Sequence, residues 1–360
     1  MKVKKLICIV LSIAIVLVIA YLIVCFALKW KYYSAFDFLY PTELQFYDYR
    51  EKISYASVEG NRTAFLTEKG DVYISGNSQE SIGIPLKERK AQNHYSKFVK
   101  IFENAQKVNL GKSGGVILDN QNQLYVFSRA IEGYELPTKI EATDISKIND
   151  AYIYYSALFV TTEFGELYHI DMKNQKVKSL LLDGVKEINC EDSRYINVVN
   201  QTGDAIRIDM LTPQQDGEIV FTEVIDFAIY NKDVYGYINE FGNAYVKYNG
   251  IAEEKLVIEN AVQITPYYQG IAIQDSNGNV WYFGRDVLLN KFYDGEKIAS
   301  GAELLISASI EDSLCILDKN GCLYFYGSAG YGAWGQGPRG DIRRFSEQPY
   351  CVNPTDGGVS

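Results

Sequence analysis

The chain is predicted to be all-β, a seven-bladed β-propeller preceded by one N-terminal transmembrane helix. Three observations predict this: one hairpin pattern recurs seven times, its copies are spaced as four-stranded blades are, and one long charge-free segment stands near the start. The expected organisation is a short cytoplasmic N-terminus at 1–5, the spanning helix at 6–28 and a juxtamembrane linker at 29–48. The propeller then occupies 49–353 and a tail 354–360.

The helix comes first. Leu6 to Leu28 contains no charged residue and is flanked by Lys2, Lys4 and Lys5 on one side and by Lys29 and Lys31 on the other. A helix of that length is about 34 Å long at ~1.5 Å per residue, enough to cross a hydrocarbon core of about 30 Å. A cleavable signal has a shorter apolar region ending in a small-x-small site. The stretch LIVC at Leu22 to Cys25 puts Val24 where lipoprotein processing wants a small residue. The heavier lysine count before the helix favours an N-in, C-out single pass. The propeller is therefore expected outside the cytoplasm, held in the cell membrane by residues 6–28.

The rest reads as β-structure. A composition 47% hydrophobic and 22% charged supports a full core, and 29 tyrosines against 8 prolines suit pleated, half-buried surfaces. Five of the 35 basic residues precede residue 32, which leaves 30 against 45 acids in the remainder. Such a surface repels nucleic acid and anionic lipid, so no nucleic-acid partner is expected. Cys190, Cys315, Cys322 and Cys351 lack metal-ligand spacing and read as small buried hydrophobes, with two disulfides in an oxidising compartment as the alternative.

The seven hairpins occupy 64–76, 116–128, 158–171, 196–209, 235–248, 272–284 and 315–327. Their turns carry Gly70, Asn122, Gly165, Gly203, Gly242, Gly278 and Gly321, the residue types that a left-handed turn position accepts. Three residues earlier stand Thr67, Asp119, Thr162, Asn200, Asn239, Asp275 and Asp318, each able to cap the turn with a side-chain oxygen. Three residues later come Tyr73, Tyr125, Tyr168, Ile206, Tyr245, Trp281 and Tyr324, on one fixed face of the following strand. Turn-to-turn spacings of 52, 43, 38, 39, 36 and 43 residues are the length of one blade.

These residues resemble the repeat of the regulator of chromosome condensation, a seven-bladed propeller family with the pattern H-T-x-A-L-T-x-x-G-x-V-Y-x-W-G. The first copy reads NRTAFLTEKGDVYISGN with Arg62 at the histidine position, and the sixth reads AIQDSNGNVWYFG. The seventh, CLYFYGSAGYGAWGQG, carries Gly332, Trp334, Gly335 and Gln336 after Gly327 at the family spacing. The resemblance covers about residues 50 to 353, is eroded in copies three to five, and points to a membrane-anchored bacterial member. It also implies that Gln348 to Val352, QPYCV, opens a repeat, and pairing beside the first hairpin would close the ring and leave no bare edge. Guanine nucleotide exchange, which the resemblance brings with it, finds no matching exchange-loop residue and is a remote alternative.

Chemical motifs yield to the repeat. The glycines Gly330, Gly332, Gly335, Gly337 and Gly340 match G-x-G-x-x-G twice, yet Pro338 and the preceding hairpins exclude the strand-to-helix context of a nucleotide site. They read as an inter-blade turn. GKSGG at Gly111 to Gly115 fits G-x-S-x-G, but a strand follows Ser113 where a nucleophile elbow needs a helix, and a triad would need His94 or His169. Asp275 and Asp318 open calcium-loop-like turns without the distal glutamate. No catalytic residue, metal ligand or cofactor is assigned.

What remains is a loop constellation. Tyr154 and Tyr155, Tyr195, and Tyr267 and Tyr268 precede the first strand of their hairpins at equivalent positions, which places them at one end of the ring. Tyrosine offers rigid contact area with a polar tip. The reading is a non-catalytic module that binds an unidentified protein or cell-surface ligand. An extracellular enzyme acting on a polymer through channel carboxylates is the alternative. The insertion Asn77 to Lys97 is either a partner loop or a tolerated excursion.

Overall fold

The computed structural model describes residues 15–21, 45, 47–48, 50–77, 82–84, 94–140, 145, 147–174, 178–190, 194–213, 217–248, 251–267, 269–286, 291–307, 313–328, 342–343 and 350–352. Among them lie seven antiparallel sheets, each built from consecutive strands of the chain. The blades span 53–102, 105–139, 148–182, 185–221, 224–258, 261–299 and 302–343, and 350–352 joins the last. The seven predicted hairpins are the second and third strands of these blades.

Each blade buries both faces, as a propeller requires and a two-layer sandwich does not. The second strands Arg62–Thr67 and Gly114–Asp119 are buried at every position. Seven hydrophobic clusters result, one per seam. Phe65 and Phe98 of blade 1 meet Leu323 and Phe325 of blade 7, and Tyr282 of blade 6 meets Leu314 and Tyr324 of blade 7. The smallest, between blades 4 and 5, consists of Val199, Ala205, Val224 and Phe227 with partly buried neighbours.

The turns are built as the capping residues predict. Gly70, Asn122, Gly165, Gly203, Gly242, Gly278 and Gly321 all have φ between 59° and 86°. Asp275 Oδ1 accepts hydrogen bonds from the backbone N–H of Asn277 and Asn279, and Asp318 Oδ1 from those of Asn320 and Cys322. These carboxylates are turn caps. A second bond was not anticipated: at six seams the carbonyl of the turn glycine accepts the N–H that opens the next blade, as in Ala302 N to Gly278 O at 2.9 Å. The same bond closes the ring, from Ile53 N to Gly321 O at 3.2 Å.

The ring therefore closes differently from the expectation. Tyr350–Val352 pairs with Leu323–Phe325 inside blade 7 and not beside the first hairpin. Ile342–Arg343 covers only Gly327 and Ser328 of that third strand, so the remaining edge groups needed partners, and 350–352 supplies them. Side-to-side packing and the Ile53–Gly321 bond join blade 7 to blade 1.

Of 6–28, residues 15–21 are described and form a helix; among the described residues no helix is long and apolar enough to cross a membrane. The insertion links the third and fourth strands of blade 1, and its Ile82 and Ile84 are buried in the core between blades 1 and 2, so that part is no exposed loop. The glycine-rich stretch 329–341 lies outside the described residues. Cys315 and Cys322 are buried core residues.

Gly278 is constrained twice, by its φ of 78° and by Ala302 O, which a β-carbon would approach to 2.8 Å. Gly278→Ala is expected to destabilise the fold by about 1–3 kcal/mol. Asn122→Gly, at a turn already filled by asparagine, should stay within about 0.5 kcal/mol. Urea denaturation midpoints of the two variants measure the difference.

Candidate functional site

The predicted tyrosines occur where the first and second strands of a blade meet, at the ring end opposite the capped hairpin turns. Tyr154 closes the first strand of blade 3, Tyr195 opens the second strand of blade 4, and Tyr267 closes the first strand of blade 6. Two of them are brought together. Tyr154, 9% exposed, packs into the core shared by blades 3 and 4, its ring edge-on to Tyr155 at 4.9 Å. Tyr155 is 48% exposed. Tyr195 opens a strand of the neighbouring blade, with Arg207 3.9 Å and Arg194 5.3 Å from its ring centroid. Tyr267 is buried in the core between blades 6 and 7, its ring against Tyr282. Tyr268 lies outside the described residues.

Tyr155 adopts a left-handed conformation with φ 51°, uncommon for a bulky side chain and costing about 1–3 kcal/mol. Its carbonyl accepts a hydrogen bond from Ser113 Oγ at 2.9 Å. Ser113, the G-x-S-x-G serine, sits in the tight turn between the strands of blade 2 and hydrogen-bonds to Ser128. It supports the tyrosine loop from the neighbouring blade.

Beside this loop lies a cavity of about 320 Å³ bordered by Tyr154, Tyr155, His169, Asp171, Leu211 and Pro213. Leu211 is 57% exposed. On the same side Arg194 donates to Asp209 and holds that carboxyl below the usual range. Burial lowers the His169 pKa, against the opposing charge of Asp171. Leu211, Arg194 and Arg207 were not singled out in the sequence, because they reach this place only through the pairing of blade 4 beside blade 3; His169, considered there only as a triad base, borders the cavity from blade 3 itself. Phe164 and Phe241, 60% and 75% exposed at one equivalent turn position of blades 3 and 5, did leave a signal, an aromatic in an otherwise polar turn.

The first strands line a central channel with a cavity of about 280 Å³. Their third positions bear Tyr55, Lys107, Asp150, Glu187, Asp226, Gln263 and Leu304, so carboxylates do converge here. Two of them are struts. Asp150 forms an ion pair with Lys107 and accepts from Asn109, which also donates to Ala151 O at 3.0 Å. Burial pushes the Asp150 carboxyl up, and Lys107 and Asn109 oppose this. Asp226 accepts the backbone N–H of Phe227 and of Ile264 in the next blade, at 2.8 and 2.9 Å. Gln263 bridges to both N–H and C=O of Leu305. Glu187 reaches the water of the channel, yet the protein around it raises its carboxyl.

No protein-family profile and no curated protein matches the chain. Similar solved structures include PorZ, an essential bacterial surface component of the type-IX secretion system of Porphyromonas gingivalis, at 13% identity and a TM-score of 0.50. The match covers 81% of this chain and spans 38% of that one. Prp20p from Saccharomyces cerevisiae is similar at 13% identity and a TM-score of 0.47, over 85% of this chain and 78% of that one. At these identities the PorZ likeness speaks for the propeller fold alone.

The lowered His169 pKa has a definite pH consequence. The unfolded chain takes up this proton near pH 6.5, before the folded chain does, so stability is lost as the pH falls through that range. Between pH 7.5 and 5.5 the denaturation midpoint of the wild type should fall further than that of His169→Gln, in which the carboxylate contributions are shared and cancel.

Proposed function

We propose that this chain is a membrane-tethered propeller, standing outside the cytoplasm, that binds a protein partner at the end of blades 3 and 4 without catalysing a reaction. The observation that carries the reading is Tyr155. A strained, half-exposed aromatic, held by a serine of the neighbouring blade where glycine would sit without strain, is kept for contact more readily than for stability. Leu211 borders the same cavity, and the adjacent blade 4 carries Tyr195 with Arg194 and Arg207 against its ring. Tyrosine and arginine dominate binding energy at protein interfaces, and an exposed leucine beside them adds apolar contact.

The tether rests on the lysine-flanked segment 6–28 and on the exposed apolar side chains of helix 15–21, including Ile15, Val16, Leu17 and Val18. Placement among bacterial members of the regulator of chromosome condensation family rests on the repeat residues. PorZ is described as a surface component, a setting compatible with this one. The enzyme alternative has one observation in its favour, the convergence of Asp150, Glu187 and Asp226, but two of the three are already engaged in holding adjacent blades.

Tyr155→Gly should leave the denaturation midpoint unchanged or raise it, by up to about 1 kcal/mol of relieved strain. A photocrosslinking residue at position 155 in intact cells should trap a discrete partner that one at position 292 on the outer edge does not, and Leu211→Asp should abolish it. The same products from both positions, or none from 155, would exclude this surface.

The tether is tested separately. Protease treatment of intact cells should release a fragment beginning after roughly residue 32, where the basic flank ends; full protection would place the propeller inside.

A further inference from the structure

At the opposite end of the ring, where the capped turns lie, the channel wall borders a cavity of about 440 Å³. Its wall carries three carboxylates from three blades, Glu187, Asp226 and Glu303, and one cation, Lys186. Its apolar lining includes Ile225, Leu304 and Val262, the last 49% exposed.

Two features of this wall point to an absent donor. Gln274 is 5% exposed and lines the same cavity. Its Nε2 donates to Ala302 O at 3.0 Å, which fixes the orientation of the amide, while Oε1 is a buried acceptor with no hydrogen-bond partner among the described residues. Such an acceptor costs about 1–3 kcal/mol when left unmade. Glu187, across the cavity, has no ion pair or hydrogen bond among those described, unlike Asp150 and Asp226. Burial raises its carboxyl; Lys186 and, deeper in the channel, Lys107 lower it, and Asp150 raises it further.

We propose that this mouth binds an organic cation with N–H donors on an aliphatic stem, a linear polyamine or a lysine side chain, its donors shared between Glu187 and the Gln274 carbonyl. Val262, Ile225 and Leu304 take the methylenes. The cavity is far larger than a bare metal ion needs, and both Asp226 oxygens are already bonded to backbone N–H groups, so a stem-bearing cation fits where a compact one does not. Small-ligand sites of about 300–1,000 Å³ have this make-up of apolar walls with a few placed polar groups. The proposal is independent of the tyrosine end; either can fail without the other.

The test is calorimetric titration of the detergent-solubilised full chain with spermidine and, separately, with the tripeptide Gly-Lys-Gly. Saturable binding of either is expected, weakened at least tenfold by Glu187→Gln and by Gln274→Leu, with denaturation midpoints checked so that a misfolded variant is replaced by Glu303→Gln. Magnesium at matched ionic strength should not compete. Tighter binding of spermidine identifies a free polyamine as the source, and tighter binding of the tripeptide a partner's lysine. Absence of binding to both, equal affinity in wild type and variants, or displacement by magnesium beyond that by sodium at the same ionic strength would overturn the proposal, the last reducing it to a site for any cation.

Discussion

The hydrogen bond from the first N–H of one blade to the turn carbonyl of the blade before is the contact on which the rest of the architecture depends. It is a single neutral bond, worth about 1 kcal/mol net, but it fixes register. Once Ala302 N is held to Gly278 O, the first strand of blade 7 can slide neither inward nor along the channel, and its alternate residues must face blade 6. The hydrophobic seams then supply the energy at positions already decided. Glycine recurs at the turn because the backbone is left-handed there, and at Gly165, Gly278 and Gly321 the adjacent blade also comes too close for a β-carbon.

The local half of this arrangement is written plainly in the sequence. A cap such as Asp318, a glycine at Gly321 and an aromatic at Tyr324 sit within seven residues, and one short-range rule positions all three. Long-range choices are less visible. QPYCV has the composition of a strand that could open a repeat, and only the short reach of Ile342–Arg343 along the third strand of blade 7 leaves an edge for it to fill. Loop tyrosines show the same limit. Tyr154 and Tyr267 share a position in their repeats and both are buried against the next blade, whereas Tyr155, one residue on, is half exposed, a difference that the repeat pattern does not carry. The channel struts left no local trace, because Lys107 and Asp150 lie 43 residues apart and meet only through the ring.

The two ends of the ring differ in chemistry. One carries tyrosine, arginine and leucine around a strained loop and suits a broad protein surface. The other gathers carboxylates at the mouth of a narrow channel and suits a single inserted group. A propeller allows this division because its strands run between the two ends, so substitutions at one end of a strand leave the other end, and the seams between, undisturbed.

Blades made of consecutive strands, with no strand lent by the far end of the chain, bear on how the molecule is made. During synthesis at roughly 5–20 residues per second, a blade of 36 to 52 residues, taken from the turn spacings, emerges in about 2–10 seconds, far longer than a hairpin needs to form. Each blade can thus complete its own sheet before the next appears and offer its turn carbonyl as the template for it. The chain can assemble outward from blade 1 as it is made, with only the last seam waiting for the final strand.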